Sequence, residues 1–388
     1  MATLSRGNQG SPVWDKIVAW MPATLSIHGG YENDIGYARY TFDNQNNPSE
    51  AFYDFRGRAA FGPVLRYEFG HNYFAQAWAQ YVVWMRELAG VYQGNADDIA
   101  AQVGQKDLWD VTVGRFFTWR VYRKGMGFDL YTLEDTGALV RGPVEGGTFG
   151  PHVYEVNDIF LRGTPGRAAF HLYPTAWSGF EAVVEYGKDS TTTNSLGGRV
   201  AGNITYGPIS VSAAAEIRRS RLAQEVKDMN QVVCDLCNAT DRNGYGGGLV
   251  LKHWIVEVGG NYAIAHQTGH GAVPPGDENI NASGKTTSLG GYGELDLGSL
   301  ALNRKLVAGF GLNRTETTAK NLDFARHVQW AAYLFFPLGF NNAFVKFVYS
   351  RADLQTDIAA TTPTSPTVQF IEAKSHMSAG RFRFGFNF

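Results

Sequence analysis

The chain has 388 residues, 44% of them apolar and 14% aromatic, with 46 glycines, only 18% charged residues and a net charge of −2. About a quarter of the residues of an ordinary soluble protein are charged. In addition, 25 Phe, 19 Tyr and 9 Trp are too many for a disordered chain, and no run reaches the roughly 18 consecutive apolar residues of a membrane-spanning helix.

These exclusions leave a large all-β protein. With 34 basic against 36 acidic residues and no basic tract, nucleic acid is not an expected partner. In residues 1–22, Trp14, Ile17, Val18 and Met21 recur at helical spacing before Pro22. This predicts an N-terminal periplasmic segment, either a short helix or an unstructured leader. The first residues lack a basic region followed by an apolar core, so any secretory leader is expected to have been removed.

From residue 23 to 388 apolar and polar positions alternate in segments of about ten residues, as they do in strands with one face in lipid and the other in a polar lumen. In 180–186, Phe180, Ala182, Val184 and Tyr186 oppose Glu181 and Glu185. In 209–218, Ile209, Val211, Ala213, Ala215 and Ile217 oppose Ser210, Ser212, Glu216 and Arg218. Trp254, Val256, Val258, Tyr262 and Ile264 oppose Glu257 and Asn261. Val328, Trp330, Ala332, Leu334 and Phe336 oppose His327, Gln329 and Tyr333. A soluble sandwich or propeller would carry polar residues where these Trp, Leu, Phe and Tyr stand.

Short joints at 70–72, 105–107, 177–179, 206–208, 251–253, 298–300 and 337–341 alternate with long polar ones near 33–56, 87–95, 189–196, 219–242, 266–284, 315–322 and 353–371. Strands are therefore predicted near 23–32, 57–69, 72–86, 96–104, 108–118, 166–176, 180–188, 197–206, 208–218, 243–251, 253–265, 285–297, 301–314, 323–336, 341–352 and 372–388. That makes an all-β transmembrane antiparallel barrel of about 16 strands, with 14 and 18 as the alternatives. Short turns would lie on the periplasmic side and long loops on the outside.

One connection, 119–165, exceeds the others. It is rich in glycine and in acids, with Asp129, Glu134 and Asp135 among them, and its entry is basic: Arg115, Arg120, Arg123 and Lys124. A long ordered loop usually has a function.

At this point the sequence resembles the Gram-negative outer-membrane general porins. The residues concerned are the strand ending Val113-Gly-Arg115, the long loop after it, the return Arg167-Ala-Ala-Phe-His-Leu-Tyr-Pro-Thr-Ala-Trp-Ser-Gly-Phe180, and the ending Arg381-Phe-Arg-Phe-Gly-Phe-Asn-Phe388. The loop is longer than is usual in that family and lacks its Pro-Glu-Phe-Gly type of tip. The resemblance implies that 119–165 folds into the lumen as a constriction. Asp129, Glu134 and Asp135 would then stand on the loop, facing Arg66, Arg115, Arg381 and Arg383 on the wall, with Arg120 and Arg123 at the loop entry. A transverse field of this kind orients water and polar solutes. The resemblance also implies a homotrimer in the outer membrane of a Gram-negative bacterium, in contact with outer-membrane lipid and lipopolysaccharide.

Alternation places Arg66, Arg167, Arg199, Arg218, Lys305, Lys346, Arg381 and Arg383 in the lumen, with Glu68, Asp110, Glu181, Glu185, Glu216, Glu257, Glu294 and Asp296. The balance of signs suits a water-filled channel and leaves ion preference open. Tyr67, Trp109, Tyr186, Trp254, Tyr262, Phe382 and Phe388 are the candidates for the outer aromatic girdles. Trp78, Trp84 and Trp119 have no settled facing.

Cys234-Asp-Leu-Cys237 lies in a polar loop without a second cysteine pair or a nearby histidine. A local disulfide is expected there, with free thiols as the alternative and no metal site. No nucleophile motif stands in a strand-turn-helix context and the histidines are scattered, so no catalytic residues, enzyme activity or cofactor are expected. The functional expectation is a porin for passive diffusion of small hydrophilic solutes and ions. The alternatives are a barrel sleeve around a multihaem cytochrome or other protein plug, and a substrate-specific channel.

Overall fold

The computed structural model describes residues 2–3, 23–42, 51–70, 72–86, 93–116, 166–187, 192–227, 233–270, 284–301, 305–319, 322–339, 342–362 and 365–387. Its sixteen long strands are β1 (Ala23–Phe42), β2 (Ala51–Phe69), β3 (Tyr73–Arg86), β4 (Gln93–Gln105), β5 (Trp109–Arg115), β6 (Gly166–Thr175), β7 (Ser178–Gly187) and β8 (Thr192–Tyr206), followed by β9 (Ile209–Lys227), β10 (Val233–His253), β11 (Val256–His270), β12 (Gly284–Asp296), β13 (Val307–Ala319), β14 (Leu322–Pro337), β15 (Phe344–Thr362) and β16 (Ser365–Asn387). Each pairs antiparallel with its sequence neighbours. β16 returns to pair with β1, from Asn387 opposite Gly30 to Ser375 opposite Phe42. The sheet is thus a closed barrel with no free edge. Where β16 stops, Ala2 and Thr3 bridge to Ile27 and Ser26 at the foot of β1.

All sixteen expected strands are present in the expected order. Their ends at the long loops differ from the expectation, since β1 runs to Phe42, β9 to Lys227 and β15 to Thr362. Much of what reads as polar loop is paired strand, because backbone pairing continues past the point where the side-chain pattern stops alternating. At the short-turn end two joints move. Trp254 and Ile255 form the turn after β10, with Trp254 at φ 50°. β13 begins at 307 because a helical turn, α1 (Gly298–Ala301), precedes it. Asp296, expected in the lumen, spends its carboxylate on that turn, accepting from the backbone N–H groups of Gly298, Ser299 and Leu306.

The period-2 pleat sorts the wall cleanly. Val184, Leu196 and Ile217 are each about 60% exposed on the outside, whereas their sequence neighbours Glu185, Ser195 and Glu216 are buried on the inside. Phe382 shares the outer face with Tyr67, Tyr186 and Tyr262. Trp78 faces inward and packs against a buried apolar cluster that joins Phe116 to Ala100, Ala169, Val183, Ala263 and Ala265. Two glycines show why the wall needs them. A Cβ on Gly62 would lie 1.7 Å from the Ala79 carbonyl oxygen, beside the irregularity between Gln80 and Tyr81. One on Gly309 would lie 2.1 Å from the Tyr333 ring, which rests flat over it.

Candidate functional site

The inner wall carries two distinct polar regions. The first spans β5 to β9 and is built by hairpin register. His171 faces Asp110 across one ladder and Glu181 across the next, while Arg167 faces Glu185. Arg199 and Glu216 are symmetric about the Gly207–Pro208 turn, whereas a register shift between Leu172 and Thr175 offsets β6 by one residue, so that His171 meets Glu181 and Arg167 meets Glu185. Turn length and register therefore place opposite charges side by side on one face.

The resulting network alternates in sign. His171 holds Nδ1 2.5 Å from Asp110 Oδ1 and Nε2 3.2 Å from Glu181 Oε2. Tyr173 donates its hydroxyl to Asp110 Oδ2 at 3.1 Å. Arg199 stands 3.6 Å from both Glu181 and Glu216. Glu185 accepts Arg167 Nε at 3.1 Å and lies 3.0 Å from Arg218 Nε. Arg167 Nη1 also donates to the Phe116 carbonyl, tying the end of β5 to β6. His171, Arg167, Arg199 and Arg218 thus meet Asp110, Glu181, Glu185 and Glu216, all buried except the partly exposed Arg218. Each His171 ring nitrogen stands against a different carboxyl group.

The second region, on β14 to β16, is basic. Lys346, Arg381 and Arg383 point inward, and Arg383 is only 1% exposed. Lys346 sits 4.7 Å over the Tyr333 ring, and Tyr333 donates to Glu294 on β12. On β2, Arg66 donates to Glu68 at 3.1 Å and lies 4.3 Å over Phe74, and Lys106 closes on Glu68 at 2.7 Å. At the short-turn end a vestibule of about 1120 Å³ is lined by Tyr173, Trp177, Asn203, Val250, Lys252 and Glu257 among others.

Of the expected wall residues, Arg66, Arg381 and Arg383 face inward. Arg115 does not. It pairs opposite Ile99 and shares the outward parity of Val113, because Asp110, Thr112 and Gly114 take the inner positions of β5. Arg120, Arg123, Asp129, Glu134 and Asp135 lie outside the described residues, as do the expected N-terminal helix and Phe388. Cys234 and Cys237 fall on β10, where the register shifts opposite Gln224 and Val226, and their side chains lie outside the described ones. The expectation missed His171 and Tyr173 as members of the wall network. His171 meets Glu181 only through the register shift between Leu172 and Thr175, which the alternation of the sequence does not reveal. Among the described residues, no group of His, Cys, Asp or Glu is arranged to hold a metal ion.

No protein-family model and no curated protein sequence matches the chain. Solved structures do. The anion-selective porin from Comamonas acidovorans superposes with a TM-score of 0.55 at 13% identity, over 94% of this chain and 100% of that one. The outer membrane channel DcaP of Acinetobacter baumannii gives 0.53 at 9% identity over 94% and 97%. Salmonella typhi OmpF gives 0.52 at 11% identity over 94% and 98%. The chain therefore has the fold of the 16-stranded outer-membrane porin barrels.

Proposed function

We propose that the protein spans an outer membrane as a porin and forms a water-filled channel for passive diffusion of small hydrophilic solutes and ions. The observation that carries this reading is the division of one closed wall into an apolar outer face and a charged inner face. An outer belt of exposed Val, Leu, Ile, Tyr and Phe is stable only in lipid. A lumen lined by both signs of charge suits hydrated solutes.

The finer parts of the proposal are a homotrimer, for which a related barrel solved in a trimer form is a precedent, and a constriction formed by 119–165. In that constriction Asp129, Glu134 and Asp135 face Arg66, Arg381 and Arg383, with Arg120 and Arg123 at the loop entry. We also propose that Cys234 and Cys237 form a disulfide, for which unchanged mass after alkylation without reductant is the check.

Single-channel recording from purified protein in a planar bilayer tests the main reading. Stepwise, steady conductance supports a porin. Gross leak, or no stable step without a partner, supports a sleeve around a protein plug instead.

A further inference from the structure

The inner wall holds a second concavity, which the charge network of β5 to β9 does not reach. It is a pocket of about 580 Å³ on β1 to β4, lined by Trp78, Gln76, Gln80, Asp98, Ser26 and His28 among others. Small-molecule clefts span about 300–1,000 Å³. The pocket stands where the ladders on both sides of β3 depart from regular pairing. The β2–β3 ladder is interrupted between the Phe61–Tyr81 and Val64–Trp78 pairs, with Pro63 in the gap. The β3–β4 ladder shifts register between Gln80 and Tyr81, leaving Asp97 as the extra residue. Among the described ladders, the other register shifts fall at the last pairs, beside a turn or a long loop. A bulge within a wall re-aims side chains, and such bulges gather at functional sites. Gly62 belongs to the same distortion, since a Cβ there would lie 1.7 Å from the Ala79 carbonyl oxygen.

The polar groups surround the indole. Gln76 and Gln80 precede and follow Trp78 on the inner face of β3, and Asp98 stands opposite Gln80 on β4. Ser26 and His28 come from β1 and are hydrogen-bonded to each other at 2.9 Å. Directly across the two ladders Trp78 meets only Val64 and Ala100, so its neighbours on the adjacent strands are small, and the buried apolar cluster holds it in place. The full charges nearby balance. Arg66 and Lys106 both close on Glu68, at 3.1 and 2.7 Å, and Asp98 is the second carboxylate. The pocket therefore has no surplus of either sign with which to select an ion.

We propose that this pocket binds a neutral sugar, with one pyranose ring stacked on Trp78 and its hydroxyls bonded to Gln76, Gln80 and Asp98. A pyranose carries C–H groups on its faces and hydroxyls around its whole rim. An aromatic floor ringed by amides, a carboxylate and hydroxyls is the complement of that shape. A nucleobase also stacks, but its polar atoms are gathered on its pairing edge, whereas here polar side chains stand on several sides of the indole. The inference rests on the channel reading, because the pocket opens into the lumen, and it names one solute class for which the channel has a seat.

Calorimetric titration of the full-length barrel tests it, in a polyoxyethylene detergent that carries no sugar headgroup, with D-glucose, cellobiose, glycerol and uridine. Saturable binding of glucose and cellobiose is expected, and none of glycerol, which has hydroxyls but no ring face. Gln80→Leu and Asp98→Asn should each weaken sugar binding about fivefold, as for the loss of one hydrogen bond. Trp78→Ala should abolish it, and Trp78→Phe should keep part of it. Sugar affinity unchanged in Gln80→Leu and Asp98→Asn overturns the assignment to this pocket, whether or not Trp78→Ala folds. Equal binding of glycerol overturns the stacking, and binding of uridine in place of the sugars overturns the ligand class. Calorimetry needs no conductance, so wild-type protein that conducts but binds no sugar overturns this inference alone, whereas a barrel that binds sugar yet opens no channel overturns the proposed function alone.

Discussion

His171 on β6 lies between two carboxylates, with Asp110 on β5 2.5 Å from its Nδ1 and Glu181 on β7 3.2 Å from its Nε2. A single side chain thus links three consecutive strands.

Replacing His171 with Ala leaves Asp110 and Glu181 facing a gap. We expect a loss of roughly 3 kcal/mol in stability, the lower part of the range for breaking a buried pair, and a shift of ion preference toward cations. Thermal unfolding in detergent and the reversal potential in a salt gradient check the two halves. An unchanged reversal potential would place this network away from the ion path.

Arg381→Gln with Arg383→Gln removes two buried inward charges from β16. With about 1 kcal/mol for a charge at close range in a wet lumen, the permeability ratio should move roughly fivefold toward cations. Neutralising Asp129, Glu134 and Asp135 together should move it toward anions. Identical selectivity in the two variants would dissolve the proposed opposition of loop and wall.

Gly309→Val forces a side chain into the space of Tyr333, whose ring would lie 2.1 Å from a Cβ at that position. The ring must lift, breaking its bond to Glu294 and its contact with Lys346. A cost of about 1–3 kcal/mol is expected for such overpacking. Shrinking the ring, as Tyr333→Ser, should restore part of it in the double variant. No recovery would mean that Gly309 matters through its backbone alone.

Val184→Arg tests the outer face directly, because Val184 is 60% exposed and flanked by the buried Val183 and Glu185. An Arg near the middle of a lipid-facing strand costs about 2–4 kcal/mol. The variant should fold poorly into vesicles, as followed by the barrel's resistance to protease. Normal insertion would remove Val184 from contact with lipid.

The number and order of the strands are legible in the sequence because lipid on one side and charge on the other force a period-2 pattern wherever the wall crosses the membrane. Arg66, Arg381 and Arg383 are readable as inward by the same rule. The pattern fails where the constraint does. Residues 33–42, 219–227 and 353–362 belong to β1, β9 and β15, yet they read as loop because polar residues interrupt the apolar–polar alternation along each of them. Arg115 is misread because a basic residue beside a long loop looks like pore lining, whereas its register opposite Ile99 turns it outward.

The sequence by itself determined which side chains share a face, since successive residues of a strand point to opposite sides whatever their neighbours are. Only the tertiary structure decided which of them meet. Arg199 lies between Glu181 and Glu216, and Asp98 stands opposite Gln80 beside Trp78, because turn length and closure of β16 on β1 fix the stagger between strands. That stagger leaves almost no trace in the composition of any one of them.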